Sequence, residues 1–458
     1  MKEMLEAIGD PLPEDIEKLK WYGDFEGCLG LIDQRMAENI PETLRQKLRM
    51  EKAQIQRMVR DYVVTPEEAQ QVFSSRLRDW KPEELEQLRR ANVLDWIFVN
   101  GQVRYIDTFY ENLIKIRGDI AARQLTPAQP EPGKRSDMEL RREIVAKMKA
   151  NRRVICKFTL RAYLNVSMQT REKDEKIHIW IPYPLEKLQM KNVHIVKSSP
   201  AYSMVAEPDA TQRTVYFEGT AEDLSQVEIT YTAENHMEYV ELNPAEVPPQ
   251  QPDFALEEQL PHIVFTPYLR ALTAEVVGEE TNPLKKARKI YDFITKTVNY
   301  SYMRSYISLP VIPEYCAARL RGDCGVQALT FITMCRIAGV PAKWQSGLYA
   351  NENEAGCHDW AMFYVEPYGW RWADCSFGGS AWRRGDLEQW NFYFGNLDPY
   401  RVVLTSEFQG DFVPPTKYLR ADPYDNQRGE VETDSGALPR SLWDAGSETL
   451  AVEILTEP

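Results

Sequence analysis

The sequence predicts a multidomain α+β protein in three parts: an N-terminal helical domain, an antiparallel β-sandwich, and a mixed helix and sheet domain that carries the chemistry. Three observations lead there. The chain has 458 residues, more than one hydrophobic core usually serves. Its hydrophobic period is helical at first, becomes two from Val154, and turns helical again after Thr266. Proline-rich crossings at 125–133 and 247–252 mark the changes.

Residues 1–124 hold repeated helix starts ahead of amphipathic runs. In Thr65-Pro66-Glu67-Glu68 the threonine suits an N-cap, the proline the first helical position, and Glu68 the return bond of a capping box. Trp96-Ile97-Phe98-Val99 and Gln102-Val103-Arg104-Tyr105 flank Asn100-Gly101, which predicts a β-hairpin. Helices followed by a hairpin have the outline of a winged helix, but the acidic balance argues against DNA, so a packing or substrate-covering role is expected. Residues 125–150 read as a Pro-rich linker and a charged helix from about Asp137. Residues 151–240 read as the sandwich, with alternating runs at Cys156 to Leu164, Ile177 to Pro182, Thr214 to Phe217 and Val227 to Thr232. Residues 241–458 form the catalytic domain with a C-terminal extension, opening with an amphipathic helix after Asn282-Pro283.

Composition narrows the partners. Hydrophobic residues make up 43% and charged residues 27%, an ordinary globular balance. The 55 Lys and Arg against 69 Asp and Glu give a formal charge of −14. That repels phosphate backbones and anionic lipid, so neither nucleic acid nor membrane is an expected partner. Acidic residues interrupt the N-terminal stretch where a secretory leader needs an apolar run, and a cytoplasmic location is expected. The seven cysteines are scattered without a CxxC pair, which agrees with a reducing compartment.

The chemistry concentrates late in the chain. Gly322-Asp323-Cys324-Gly325-Val326 sets a cysteine at the head of a helix with an apolar face of Ala328, Phe331, Ile332 and Cys335, ended by Gly339 and Pro341. There the helix dipole and free amides are expected to favour a thiolate, and the Cys324 N–H can serve an oxyanion. Downstream, His358 opens a strand and Asp374 closes the returning one. Pairing Val365 with Trp370 would set Asp374 on the face away from His358, so the hairpin must have an odd-length loop or a bulge. A thiol, an imidazole that takes its proton and a carboxylate that fixes the imidazole are what nucleophilic acyl chemistry needs. Cys324, His358 and Asp374 are therefore the expected nucleophile, base and orienting acid.

The segments GDCGVQALTFITMCRIAGVPAKWQSGLYA and CHDWAMFYVEPYGWRWADCSFG closely resemble the core of the transglutaminase-like superfamily, which includes transglutaminases, peptide N-glycanases and many bacterial cysteine proteases. The resemblance covers about residues 265–415 and implies a papain-like core, with Cys324, His358 and Asp374 on the family's triad positions. NFYFGNLDPYRV and QRGEVE resemble its extended bacterial branch, and a preceding sandwich is common there. The family often adds a second oxyanion donor upstream of the cysteine; Tyr300 and Tyr302 are the candidates here.

Six of the eleven tryptophans (344, 360, 370, 372, 382 and 390) fall in this segment. Trp344 and Trp360 are candidates for a cleft wall, although core packing serves many such residues equally. Cys357 and Cys375 could form a redox switch or join a zinc site, but their spacing is not that of structural zinc; no metal and no cofactor are expected. The leading expectation is a cysteine protease or amidase acting on a peptide or protein amide. Acyl transfer to an amine, as in transglutaminases, a glycan-releasing amidase and a non-catalytic peptide-binding module are the alternatives.

Overall fold

A computed structural model describes residues 2–126, 134–169 and 171–455. Most of the Pro-rich linker, 127–133, lies outside the described residues. The molecule is mixed helix and sheet, and no described helix is long and apolar enough to cross a membrane.

The N-terminal part is helical, with its longest helix at Glu42–Asp61. Thr65 closes the capping box with Glu68 over the helix Pro66–Arg76. The strands Trp96–Val99 and Gln102–Tyr105 pair around Asn100 and Gly101, both at positive φ, as the tight turn demands. This part fastens to the rest of the chain through the segment after Tyr300. The Asn112 side chain makes two bonds to the Tyr302 backbone, at 2.6 and 3.0 Å. Asp61 accepts from the Ser305 amide at 2.7 Å, and Gln54 donates to the Ile307 carbonyl at 2.6 Å.

The sandwich is two four-stranded sheets. One runs Trp443–Leu455, Arg153–Val166, Gln226–Glu238, Met190–Ser199; the other runs Glu430–Thr433, Lys176–Pro182, Thr214–Thr220, Met204–Val205. All four expected strands are present. The domain boundary needs correction, because both sheets are completed by strands from the C-terminal extension assigned to the catalytic domain. Trp443–Leu455 pairs along almost the whole of Arg153–Val166. As an edge strand it alternates weakly in exposure, so it lacks the period-two signal of a buried strand. The sandwich also shares one continuous buried core with the third large sheet, which contains Ala342–Ala350 and Ala355–Val365.

The region between the sandwich strands Gln226–Glu238 and Glu430–Thr433 holds a five-stranded antiparallel sheet in the order Phe394–Gly395, Gly369–Ala373, Ala355–Val365, Ala342–Ala350, Arg401–Thr405. The helix Cys324–Ile337 packs against it and is buried along nearly its whole length. Gly347 sits at a bulge against Arg401–Thr405, where a Cβ would meet the Val402 carbonyl and lie 2.8 Å from the Leu404 nitrogen. Gly347→Ala should therefore lower stability by about 1–3 kcal/mol, as overpacking against backbone does. Urea unfolding followed by tryptophan fluorescence measures it, and an unchanged midpoint would show that the bulge yields.

Candidate active site

Strand register explains why His358 and Asp374 meet. Val365 pairs with Gly369 and Ala361 with Ala373, leaving a three-residue loop at 366–368, the odd length that parity requires. Asp374 then falls level with Trp360, on the face His358 shares. His358 Nε2 lies 2.8 Å from Asp374 Oδ2. Asp374 also caps the helix Cys375–Arg383, accepting from the Phe377 amide at 2.9 Å and the Ser376 hydroxyl at 3.1 Å. Arg401 approaches it at 3.0 Å and is itself held by Asp398 at 2.7 Å. Asp374, Arg401 and Asp398 are each 0% exposed.

Charge assigns the protons. Burial alone would raise the Asp374 carboxyl, but His358 and Arg401 together pull it well below the usual range. Burial holds the His358 imidazole below its ordinary value, outweighing Asp374. An ionised Asp374 can only accept, so His358 carries its proton on Nε2 and leaves Nδ1 as the lone-pair nitrogen. The Phe377 ring lies 4.5 Å from the imidazole and fixes its plane. Among the described residues none bonds Nδ1, and His358 borders a cavity of about 390 Å³.

Cys324 opens its helix behind Asp323, whose carboxylate accepts from the Val326 amide at 3.1 Å and from the Tyr306 hydroxyl. It is partly exposed, in a second cavity of about 520 Å³. The two cavities share Tyr300, Tyr302 and Cys357. Cys324 Sγ donates to Asp359 Oδ2 at 3.2 Å, and among the described residues no hydrogen bond joins Cys324 to His358. Alternation is the reason: Asp359 follows His358 on the strand and takes the opposite face. The Gln427 amide ties the two together, donating to the Asp359 carboxylate and, at 3.3 Å, to the His358 carbonyl.

This corrects the expectation of a low thiol pKa. Burial first, then Asp359 and Asp323, push the Cys324 thiol well above its ordinary value, because one helix dipole is set against two nearby carboxylates. Those carboxyls are raised in turn. Burial lifts Asp323 to about 6; burial, reinforced by Asp323 against a bond from Asp425, lifts Asp359 to about 7. Gly325 permits this crowding, since a Cβ there would lie 2.9 Å from Asp359 Oδ2 and 3.1 Å from the Trp344 ring.

The remaining candidates divide. Tyr300 and Tyr302 border both cavities. Burial, then Cys324 and Asp323, raise the Tyr300 hydroxyl, so it stays a donor, and no described residue occupies it. Trp344 and Trp360 are 2% and 0% exposed. They are core residues that border neither of these two cavities, and the Trp360 indole is spent on Gln345 at 2.7 Å. Cys375 is buried, whereas Cys357 is exposed. Among the described residues no three His, Cys, Asp or Glu side chains are grouped to hold a metal ion. Sequence reading missed the roles of Asp359 and Arg401. The parity that puts His358 on one face was enough to put Asp359 on the other; Arg401 carried no local signal.

Residues 270–375 match the transglutaminase-like superfamily core. A Haemophilus influenzae relative, named only as an uncharacterized protein, is 23% identical over 230 residues, covering 42% of this chain. The match takes in 62% of that relative's length. A solved “Putative Cysteine Protease” from Cytophaga hutchinsonii is 15% identical, with a TM-score of 0.38, covering 65% of this chain and 91% of its own. The periplasmic domain of TgpA from Pseudomonas aeruginosa is 12% identical, with a TM-score of 0.29, covering 54% and 96%. Likeness at these scores carries no part of the functional reading.

Asp359→Asn should speed alkylation of Cys324 by iodoacetamide about three- to tenfold at pH 8.5 and shift the pH–rate profile downward; an unmoved profile would remove Asp359 from control of the thiol. The same variant tests linkage. A carboxyl whose folded pKa is raised destabilises the fold as pH climbs from its unfolded value, about 4, to its folded one. Asp359→Asn should thus gain stability over the parent between about pH 4 and pH 7, read as urea midpoints.

Proposed function

With residues 270–375 matching the transglutaminase-like core, we propose that the protein is a cysteine hydrolase acting on a peptide or protein amide through Cys324, His358 and Asp374. The observation that carries this is the buried His358–Asp374 pair, with His358 bordering a cavity that shares Tyr300, Tyr302 and Cys357 as lining with the one holding Cys324.

The thiol turns from Asp359 toward His358 Nδ1 as substrate enters. His358 takes the Sγ proton while sulfur bonds the acyl carbon, and the Cys324 N–H, with the Tyr300 hydroxyl, receives the developing oxyanion. The C–N bond breaks as His358 returns the proton to the leaving nitrogen, leaving a thioester. Water then attacks, gives its proton to His358 and releases the acid as the thiol re-forms. Asp374 and Arg401 position the imidazole throughout. Because the resting pair is a neutral thiol and a neutral imidazole, the rate should rise toward alkaline pH with no plateau in acid. Seven unpaired thiols favour a reducing compartment for this chemistry.

Single-turnover mass spectrometry with an activated peptide ester decides the matter. An acyl adduct should appear on Cys324, be absent in Cys324→Ala, and form at least about 10²-fold more slowly in His358→Ala and Asp374→Asn. Equal rates in the parent and His358→Ala would sink the proposal. Diversion of the acyl group to an added primary amine in place of water would assign the transferase reaction.

A further inference from the structure

The two sides of the cleft differ in charge. The Cys324 side is bordered by six aspartates, among them Asp323, Asp359 and Asp425, against three arginines, Arg57, Arg304 and Arg428. The His358 side is bordered by Lys115, Arg141 and Arg383, each from a different helix. In a chain of formal charge −14, carboxylates for three cations are plentiful, and nearby cations have them. On the helix that bears Arg141, Arg142 pairs with Asp386 at 3.1 Å and Lys149 with Glu388 at 2.8 Å.

Arg141 makes no ion pair and no hydrogen bond among the described residues, and its Nε is buried without a partner. Its guanidinium lies 4.6 Å from the Phe377 ring, the ring that also packs on His358. Lys115 sits 4.3 Å over Tyr302 and 4.7 Å over Tyr300, without an ion pair among the described residues. Arg383 spends one donor on the Val298 carbonyl at 3.0 Å, and burial and neighbouring Arg384 oppose its charge. Glu354 is the one carboxyl among the described lining residues. Burial, then Asp137, raise it to about 6 against the pull of Arg141, so above that pH it offsets one of the three cations and leaves this side net positive. Aromatic faces hold Arg141 and Lys115 in place, and the net positive charge is left for something that enters the cavity.

We infer that the His358 side of the cleft binds a carboxylate of a peptide substrate, with Arg141 and Lys115 as its specificity-determining contacts. This rests on reading the cleft as the acyl-substrate site. Two sources supply the same chemistry, an acidic side chain or a free C-terminus. Planar guanidinium suits either, since it meets a carboxylate with two parallel donors.

Binding to the Cys324→Ala protein, which cannot turn over, tests the inference by fluorescence anisotropy. The probes are fluorescein-labelled alanine-rich pentapeptides: amidated with a central Glu, Gln or Lys, and neutral with a free C-terminus. Either the Glu peptide or the free-carboxylate peptide should bind at least about tenfold more tightly than the amidated Gln peptide, and which one does names the source. Adding Arg141→Gln or Lys115→Gln should bring that ratio to within about twofold, with the thermal midpoint unchanged. Equal affinities across the set, a Lys preference, absence of binding, or a ratio that survives both substitutions would each overturn the inference. Because turnover is not read, anion preference can fail while acyl-enzyme formation stands, and the reverse.

Discussion

The ionised Asp374 carboxylate is the interaction on which the rest of the site depends. It has no contact with water, and an isolated charge so placed would cost several kcal/mol. The protein offsets that cost with His358, Arg401, the Ser376 hydroxyl and the Phe377 amide, so each oxygen is engaged and Arg401 is balanced by Asp398. Strand end, helix cap and a distant edge strand thereby meet at one side chain. None of them can move without stranding a buried charge.

A second constraint is the two-faced strand. Successive residues point to opposite sides, so His358 and Asp359 divide the site between them. One side joins His358 to Asp374; the other sets Asp359 against Cys324. In this arrangement the thiol rests against a carboxyl of nearly neutral pKa and away from the imidazole, which keeps sulfur protonated while the cleft is empty. Gln427, bridging both residues, couples to that setting the segment between Arg401–Thr405 and the sandwich strand Glu430–Thr433.

The accessory parts act on the same cleft from outside. The N-terminal helices grip Tyr302, Ser305 and Ile307, the segment that borders Cys324. Arg57 reaches the carbonyls of Arg420 and Ala421, at 2.7 Å each, on the opposite rim. Lys115 and Arg141 enter the His358 cavity from outside the five-stranded sheet. The helical region is thus built into the walls of the cleft.

How much of this was legible follows from the range of each signal. The Thr65 capping box, the Asn100-Gly101 hairpin, the Cys324 helix head and the need for an odd loop before Asp374 are all local, fixed by helical or strand period within a few residues. The sequence by itself therefore determined the place of Cys324 at a helix head, the pairing of His358 with Asp374, and the mix of helix and sheet. Tertiary structure alone decided the partners that come from afar: Arg401 beneath Asp374, Asp359 against the thiol, the C-terminal strand on the sandwich, and the burial of Trp344 and Trp360. Each depends on which distant surface covers a residue, and burial is what sets the sign of the thiol's pKa shift. A pattern of neighbours along the chain carries no term for it.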